Sequence, residues 1–148
     1  LATQLRAAQV DVELSENIAA ASWEKFLFIA SWGGVAAAAR APASSVRSVP
    51  ETRALLVAAM EEIARLARAH GVDMKADAVL RALQMVDSLP PEATSSMQRD
   101  ILAGKPSELL DQCGAVVRLA AQHAVPVPTH TFLLAALLPQ ELAARAQP

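Results

Sequence analysis

Apolar residues recur at helical spacing along most of the chain, and the stretch 22–34 places a cation among them. At about 3.6 residues per turn, one helical face carries Ala21, Lys25, Phe28, Ile29 and Trp32. An uncompensated buried ammonium costs free energy, so a lysine on an apolar face requires an explanation. Two interpretations are open. Either the Lys25 stem covers the core while its ammonium reaches water, or the ammonium faces a site between this helix and another part of the chain.

The helix that carries this stretch is predicted to begin near Glu16, with Ser15 as its N-cap. Gly33 and Gly34 either loosen or kink this helix, or let another backbone or a ligand approach it closely. Just before the helix, the residues 10–14 alternate between apolar and polar, which is typical of a short connector strand.

Apolar stripes bounded by capping residues and prolines predict five further helices. They cover approximately residues 51–69, 75–88, 96–103, 108–124 and 129 onward, with a loop over 41–47. The first has a capping box at Ser48, an apolar stripe and a C-terminal cap at His70, and Thr129 caps the last. The residues of that stripe are Leu55, Ala59, Ile63 and Leu66. Ser95 starts the third of these at capping-box spacing, and Ser107 caps the fourth, which puts Glu108 in its first turn. Pro139 should kink or interrupt the last one. The predicted fold is all-α, a single compact domain of six to eight helices.

Composition supports this fold and narrows the function. Of the 148 residues, 53% are hydrophobic and 19% charged, which excludes disorder, while 3% aromatics and no Tyr favour helices over strands. The net charge of −2 gives no general attraction to nucleic acid or anionic lipid. One cysteine, Cys113, cannot form an internal disulfide and agrees with a reducing, cytoplasmic location. The chain does not begin with Met, so we expect a fragment of a longer protein.

Few motifs for chemistry are visible. The five glycines cannot form a dinucleotide or phosphate loop. Cys113, His123 and His130 lack metal-ligand spacing, and both histidines are interpreted as surface or turn residues. Ser96 lies at a helix N-terminus, where free N–H groups and a hydroxyl can receive a polar ligand, and Glu108 is placed at another; ordinary capping is the favoured explanation of both. The residues alone do not establish that Lys25, Ser96 and Glu108 meet.

Several blocks, in order along nearly the whole chain, resemble the C-terminal helical domain of the ketopantoate reductase (2-dehydropantoate 2-reductase) family, a fold of the 6-phosphogluconate dehydrogenase-like type. They are Trp23-Glu24-Lys25-Phe26, Arg40-Ala41-Pro42, Ser95-Ser96-Met97 with Asp100, Gly104-Lys105-Pro106-Ser107-Glu108, and 114–119. The resemblance implies that residues 1–148 are a substrate-binding and dimerisation domain, inactive alone. An N-terminal Rossmann domain, absent from this chain, would bind NADP. A small 2-oxo acid would be reduced in the cleft between that domain and this one, and the protein would form a homodimer.

By position, the resemblance implies catalytic roles for Lys25, as general acid at the keto oxygen, and for Glu108, with Ser96 binding substrate. The family often has asparagines four and eight residues after the lysine, and another just before the glycine at 114. This chain has Ile29, Gly33 and Cys113 there. The absence of these polar side chains predicts an altered, more apolar substrate.

Two other functions stay open at this point. One is a non-catalytic all-α dimerisation or interaction module, which the Ala-rich, apolar composition would also suit. The other is the ligand-binding domain of a regulator, although the sequence contains no basic recognition helix.

Overall fold

The computed structural model describes residues 1–12 and 14–146, and these form eight α-helices, as the all-α prediction requires. The helices are α1 (Ala2–Ala7), α2 (Ile18–Ala39), α3 (Ala43–Ser48), α4 (Pro50–Ala69), α5 (Ala78–Ser88), α6 (Ser96–Leu102), α7 (Cys113–Gln122) and α8 (Pro128–Arg145). No helix in this part of the chain is long and apolar enough to cross a membrane.

The long helix α2 is the centre of the domain. Every helix from α3 to α8 contacts it, and the residues from Ala30 to Ala37 are buried without a break. A helix surrounded on all sides must be apolar on all sides, which explains why this half of α2 consists mainly of Ala, Gly and Val. The N-terminal half is different, since it buries only Ala20 and Leu27 before residue 30.

The start of α2 differs from its prediction by two residues. Asn17 is the N-cap, because its side chain accepts a hydrogen bond from the N–H of Ala20 at 3.0 Å. The Ser15 hydroxyl instead accepts from the N–H of Asn17 at 3.2 Å. Residues 10–12 and 14 form no strand, so the predicted connector strand is wrong there; its remaining residue, Glu13, lies outside the described residues.

Gly33 and Gly34 do not interrupt α2, which stays helical to Ala39. Other groups do approach these glycines closely, but they are side chains rather than the backbone or ligand that the sequence suggested. A Cβ at Gly33 would lie 2.8 Å from Met97 Cε, and a Cβ at Gly34 would lie 2.9 Å from Cys113 Sγ. Any side chain here would therefore make these neighbours shift.

Most of the other helices lie close to the ranges that the sequence pattern predicted. The predicted stripe of α4 is buried at Ala59, Ile63 and Leu66, but the N-cap is Val49 with no side-chain bond rather than a capping box at Ser48. The expected loop over 41–47 contains α3. The helix expected from Lys75 starts only at Ala78.

Glu62 on α4, a residue with no predicted role, fastens α8 to the core. Its buried carboxylate accepts hydrogen bonds from the N–H groups of Thr129 (2.7 Å) and His130 (3.0 Å) and pairs with His130 Nδ1 (2.7 Å). Burial acts to raise the pKa of Glu62, but these hydrogen bonds outweigh it and hold the pKa below its ordinary value. Thr129 is thus not the cap of α8, and His130, expected at the surface, is fully buried. From this anchor α8 continues through Pro139 to Arg145.

Candidate functional site

Lys25 lies on the exposed side of the N-terminal half of α2 and borders an open groove of about 710 Å³ between α2, α5 and the segment 14–17. On the face that Lys25 shares, Phe28 and Ile29 are half-buried, Phe28 packs against the core, and Trp32 is buried. Within the described residues, the Lys25 ammonium forms no hydrogen bond or ion pair. It is therefore accessible to a ligand or to a second domain.

The carboxylate next to Lys25 is already engaged. Glu24 Oε1 accepts a hydrogen bond from Arg81 Nη2 at 2.8 Å, across the groove from α2 to α5. Arg81 Nε also donates to Asp77 Oδ1 at 3.1 Å. Because Arg81 neutralises Glu24, Lys25 is left as an available positive charge at this edge of the groove.

Ser96 is the first residue of α6, and its side chain is exposed. The capping role predicted for this serine pair falls on Ser95, whose hydroxyl accepts from the N–H of Gln98 at 3.0 Å. Since capping is done by its neighbour, the Ser96 hydroxyl remains open to solvent. Gln98 does not complete a reciprocal capping box, because its amide donates to the carbonyl of Ala41 at 3.2 Å.

Glu108 does not lie in the first turn of a helix, as the sequence predicted. It lies in a turn that precedes α7, which begins only at Cys113. The Glu108 carbonyl accepts from the N–H groups of Asp111 (3.1 Å) and Gln112 (2.9 Å). Its exposed carboxylate accepts from the side-chain amide of Gln112 at 2.8 Å.

Ser107 links this turn to α8. Its N–H and hydroxyl donate to the buried carboxylate of Glu141, at 3.0 and 2.5 Å, and the hydroxyl oxygen also accepts from the N–H of Leu109 at 3.2 Å. Arg145 completes the arrangement by donating to Glu141 Oε1 and, at 2.8 Å, to the Ser107 carbonyl. Burial acts to raise the pKa of Glu141, but the bonds from Ser107 and Arg145 outweigh it and lower the pKa. The turn that carries Glu108 is thereby fixed to α8.

The structure connects the three predicted site residues only indirectly. Met97, which follows Ser96, and Gln112, which binds Glu108, both pack against the same point of α2, Gly33. Lys25 lies eight residues earlier, about 12 Å along the helix axis. All three side chains are exposed, and no hydrogen bond or ion pair joins any two of them within the described ranges.

The positions where the chain departs from the family pattern are apolar or buried. Ile29 is half-buried, one turn after Lys25. Cys113 is fully buried against α2, and burial raises the pKa of its thiol to about 12. Cys113 therefore contributes to the core and offers nothing to a ligand.

Two arrangements were missed by the sequence interpretation. Gln112, four residues after Glu108, could have been noticed from that spacing alone. His70 and His123, interpreted as a helix-end cap and a surface residue, bring Nδ1 and Nε2 within 2.8 Å of each other, and Trp23 lies 5.4 Å from the His70 ring. Because these contacts join different helices, no local pattern predicts them. Within the described residues, no group of three or more His, Cys, Asp or Glu could hold a metal.

Comparison with known proteins gives consistent matches. A family model described as "Ketopantoate reductase PanE/ApbA C terminal" matches residues 17–141. A 2-dehydropantoate 2-reductase of Mycobacterium tuberculosis is 29% identical over 130 residues, which are 88% of this chain but 43% of that protein. This chain therefore spans less than half of that relative.

Two solved structures share the fold. A PanE/ApbA family ketopantoate reductase from Ralstonia eutropha JMP134 superimposes with a TM-score of 0.89 at 28% identity, covering 97% of this chain and 48% of that one. A dimeric ketopantoate reductase from Staphylococcus aureus does so with a TM-score of 0.89 at 24% identity, covering 97% and 50%.

Proposed function

We propose that this chain, which belongs to the ketopantoate reductase family as a C-terminal domain, forms the substrate-binding half of an NADPH-dependent 2-oxo acid reductase. The match over residues 17–141 is the observation that carries the proposal. An N-terminal Rossmann domain would complete the enzyme and supply most contacts to NADP. We propose residues 1–148 as the substrate-binding and dimerisation domain, inactive without that partner.

Lys25 is the proposed general acid. When bound, NADPH supplies the hydride that reduces the 2-oxo carbon. The Lys25 ammonium donates a hydrogen bond to the keto oxygen and then gives up the proton that the product hydroxyl gains. Its exposure and its freedom from an ion pair within the described residues support this role, because both the substrate and a second domain can reach it.

Ser96 and Glu108 are the proposed substrate-binding and second catalytic residues. The exposed Ser96 hydroxyl has its lone pairs and proton available for a substrate oxygen, because Ser95 performs the capping. The Glu108 carboxylate is exposed but held in orientation by Gln112. A substrate contacting all three residues would lie along α2, between Lys25 and the region of Gly33.

The substrate is proposed to be more apolar than ketopantoate. Ile29 and Gly33 offer no side-chain hydrogen bond at the positions where the family often has asparagine, and Cys113 is buried. A polar site rejects substrates that lack its hydrogen-bonding group far better than an apolar site selects by shape. We therefore expect 3,3-dimethyl-2-oxobutanoate, which lacks the ketopantoate hydroxyl, to be reduced at least as efficiently as ketopantoate.

A second candidate is a non-catalytic dimerisation or interaction module. Large apolar side chains are exposed on and near the groove, at Leu14 (71%), Ile18 (71%), Leu80 (57%) and Met85 (52%), which suits any covering partner. NADPH binding by the full-length protein favours the reductase. Absence of both NADPH binding and turnover would favour the module.

The decisive experiment is steady-state reduction of these two 2-oxo acids by the full-length protein. Lys25→Ala should lower kcat on the order of 10²-fold or more. Arg68→Ala, at an exposed cation near the end of α4 that does not line the groove, is the control and should leave kcat within about twofold. A Lys25→Ala enzyme with the parent rate would contradict the proposal.

A further inference from the structure

We propose that Gln112, which packs against Gly33 of α2, is a positioning residue. Its side-chain amide holds the Glu108 carboxylate in the orientation needed for catalysis. This inference rests on the proposed function of Glu108. It goes further by assigning a role to a residue outside the resemblance and by explaining why α2 carries glycine at position 33.

The contact between Gln112 and Glu108 is the first support. Gln112 Nε2 donates to Glu108 Oε2 at 2.8 Å, and the N–H of Gln112 donates to the Glu108 carbonyl at 2.9 Å. Within residues 1–12 and 14–146, this amide is the only hydrogen-bonding partner of the Glu108 carboxylate. A glutamate side chain that is otherwise exposed samples several rotamers, so one fixed donor decides where its charge lies.

The confinement of Gln112 is the second support. The residue is 7% exposed, and its Oε1 lies 3.1 Å from the place where a Cβ at position 33 would stand. Met97 Cε lies 2.8 Å from the same point. A side chain at Gly33 would make both groups shift from these positions. The backbone of α2 and Met97 therefore confine the amide on one side. Its nitrogen faces the Glu108 carboxylate, because only the NH2 group can donate to a carboxylate.

The unsatisfied oxygen of this amide is the third support. Gln112 Oε1 is buried and has no hydrogen-bonding partner among the described residues. A buried acceptor left unpaired costs about 1–3 kcal/mol, and an apolar side chain of similar length would avoid that cost. An amide kept here in spite of its cost is explained by what its nitrogen does, which is to bind Glu108.

Together these contacts place Glu108 relative to the other proposed residues. Gln112 ties it to α2, the helix that carries Lys25, while Met97 ties the adjacent Ser96 to the same point of α2. An error of about 1 Å in the placement of a catalytic group can lower a rate by as much as 10²-fold. Loss of the Gln112 amide should therefore lower kcat through Glu108.

A double-mutant cycle on the full-length enzyme tests this inference. Gln112→Met keeps the length of the side chain but removes the donor, and it should lower kcat about tenfold. NADPH affinity, measured by fluorescence titration, should stay within twofold. In a Glu108→Gln background, the same substitution should cost less than about twofold further, because its target is already altered. Gln122→Met, at an exposed glutamine ending α7, is the control and should retain the parent kcat.

Gly33→Ala gives a second, independent perturbation, since its Cβ crowds both Gln112 and Met97. It should also lower kcat, and this loss should shrink in the Glu108→Gln background.

Each contrary outcome has a distinct meaning. An equal fold-loss of kcat in the two backgrounds would show that Gln112 acts independently of Glu108, which overturns the inference. A Glu108→Gln enzyme that is impaired while Gln112→Met is not would overturn the inference but keep the proposed function. A Glu108→Gln enzyme with the parent kcat would remove both the proposed role of Glu108 and the positioning role built on it.

Discussion

The carboxylate of Glu141 holds Ser107, 34 residues earlier in the chain, through both the N–H and the hydroxyl of that serine. Glu141 belongs to α8, and Ser107 directly precedes the proposed catalytic Glu108. α8 itself is fastened to the core by Glu62 of α4. The buried carboxylates of Glu62 and Glu141 therefore fix the turn that carries Glu108 to the core, although this turn has no regular secondary structure.

Ser107→Ala is expected to lower the free energy of unfolding by about 1.5–3 kcal/mol, because it removes a hydrogen bond to an ionised, buried group. Urea denaturation measures this loss. Ser48→Ala is the control, since the Ser48 hydroxyl is exposed and makes only a 3.5 Å contact with the Ser45 carbonyl; its effect should stay within about 0.5 kcal/mol. Equal stability of the two variants would argue against an important contact between Ser107 and Glu141.

Glu62→Ala should destabilise the domain by about 3 kcal/mol or more, because it leaves His130 and two N–H groups at the start of α8 buried without an acceptor. Glu61→Ala provides the neighbouring control. Glu61 is exposed and lies 4.0 Å from Arg65, so its loss should cost less than about 1 kcal/mol. Thermal unfolding of both variants separates them, and similar midpoints would contradict the anchoring role of Glu62.

Acid should weaken the fold through the same two carboxylates. The pKa values of Glu62 and Glu141 lie below the ordinary 4.5 in the folded state, so folding favours their ionised forms. Their contribution to stability is fully present above pH 4.5 and is lost as the pH falls through the lowered folded-state values. Urea unfolding at a series of pH values measures this slope, which should be shallower in Glu62→Gln. An unchanged slope in that variant would exclude Glu62 as a source of acid sensitivity.

Cys113 should be inert toward thiol reagents in the folded protein. Its burial raises the pKa to about 12, so at pH 8 almost no thiolate is present to react. Alkylation by iodoacetamide, followed by peptide mass mapping, should be on the order of 10³-fold slower in buffer than in urea. Labelling of the native protein at the unfolded rate would mean that the packing of α2 against α7 opens readily.

Sequence patterns succeeded where the determining interaction is local. The period of Ala59, Ile63 and Leu66 is a property of one helix, and the Ser95 cap spans three residues, so both were predicted correctly. Pattern and composition predicted an all-α domain, whereas its family and the proposed site residues came only from the resemblance.

The errors fall where a distant group competes with a local signal. The Ser107 hydroxyl accepts from the N–H of Leu109 as a cap would, but it also binds the distant Glu141, and α7 starts only six residues later. His130 was expected at the surface because nothing near it in sequence indicates Glu62. The sequence also left open where the Lys25 ammonium points, since a shared helical face does not tell which of its turns the neighbouring helices cover.

The unbroken burial of α2 from Ala30 to Ala37 also determines how the molecule can move. Backbone amides in that segment should exchange with deuterium only when the whole domain unfolds, whereas the first turns of α2 can open on their own. α2 therefore cannot move as a rigid body within this domain, although the turns that carry Lys25 can open locally. If a cofactor-bearing domain meets this lysine, the two domains must move relative to each other as wholes.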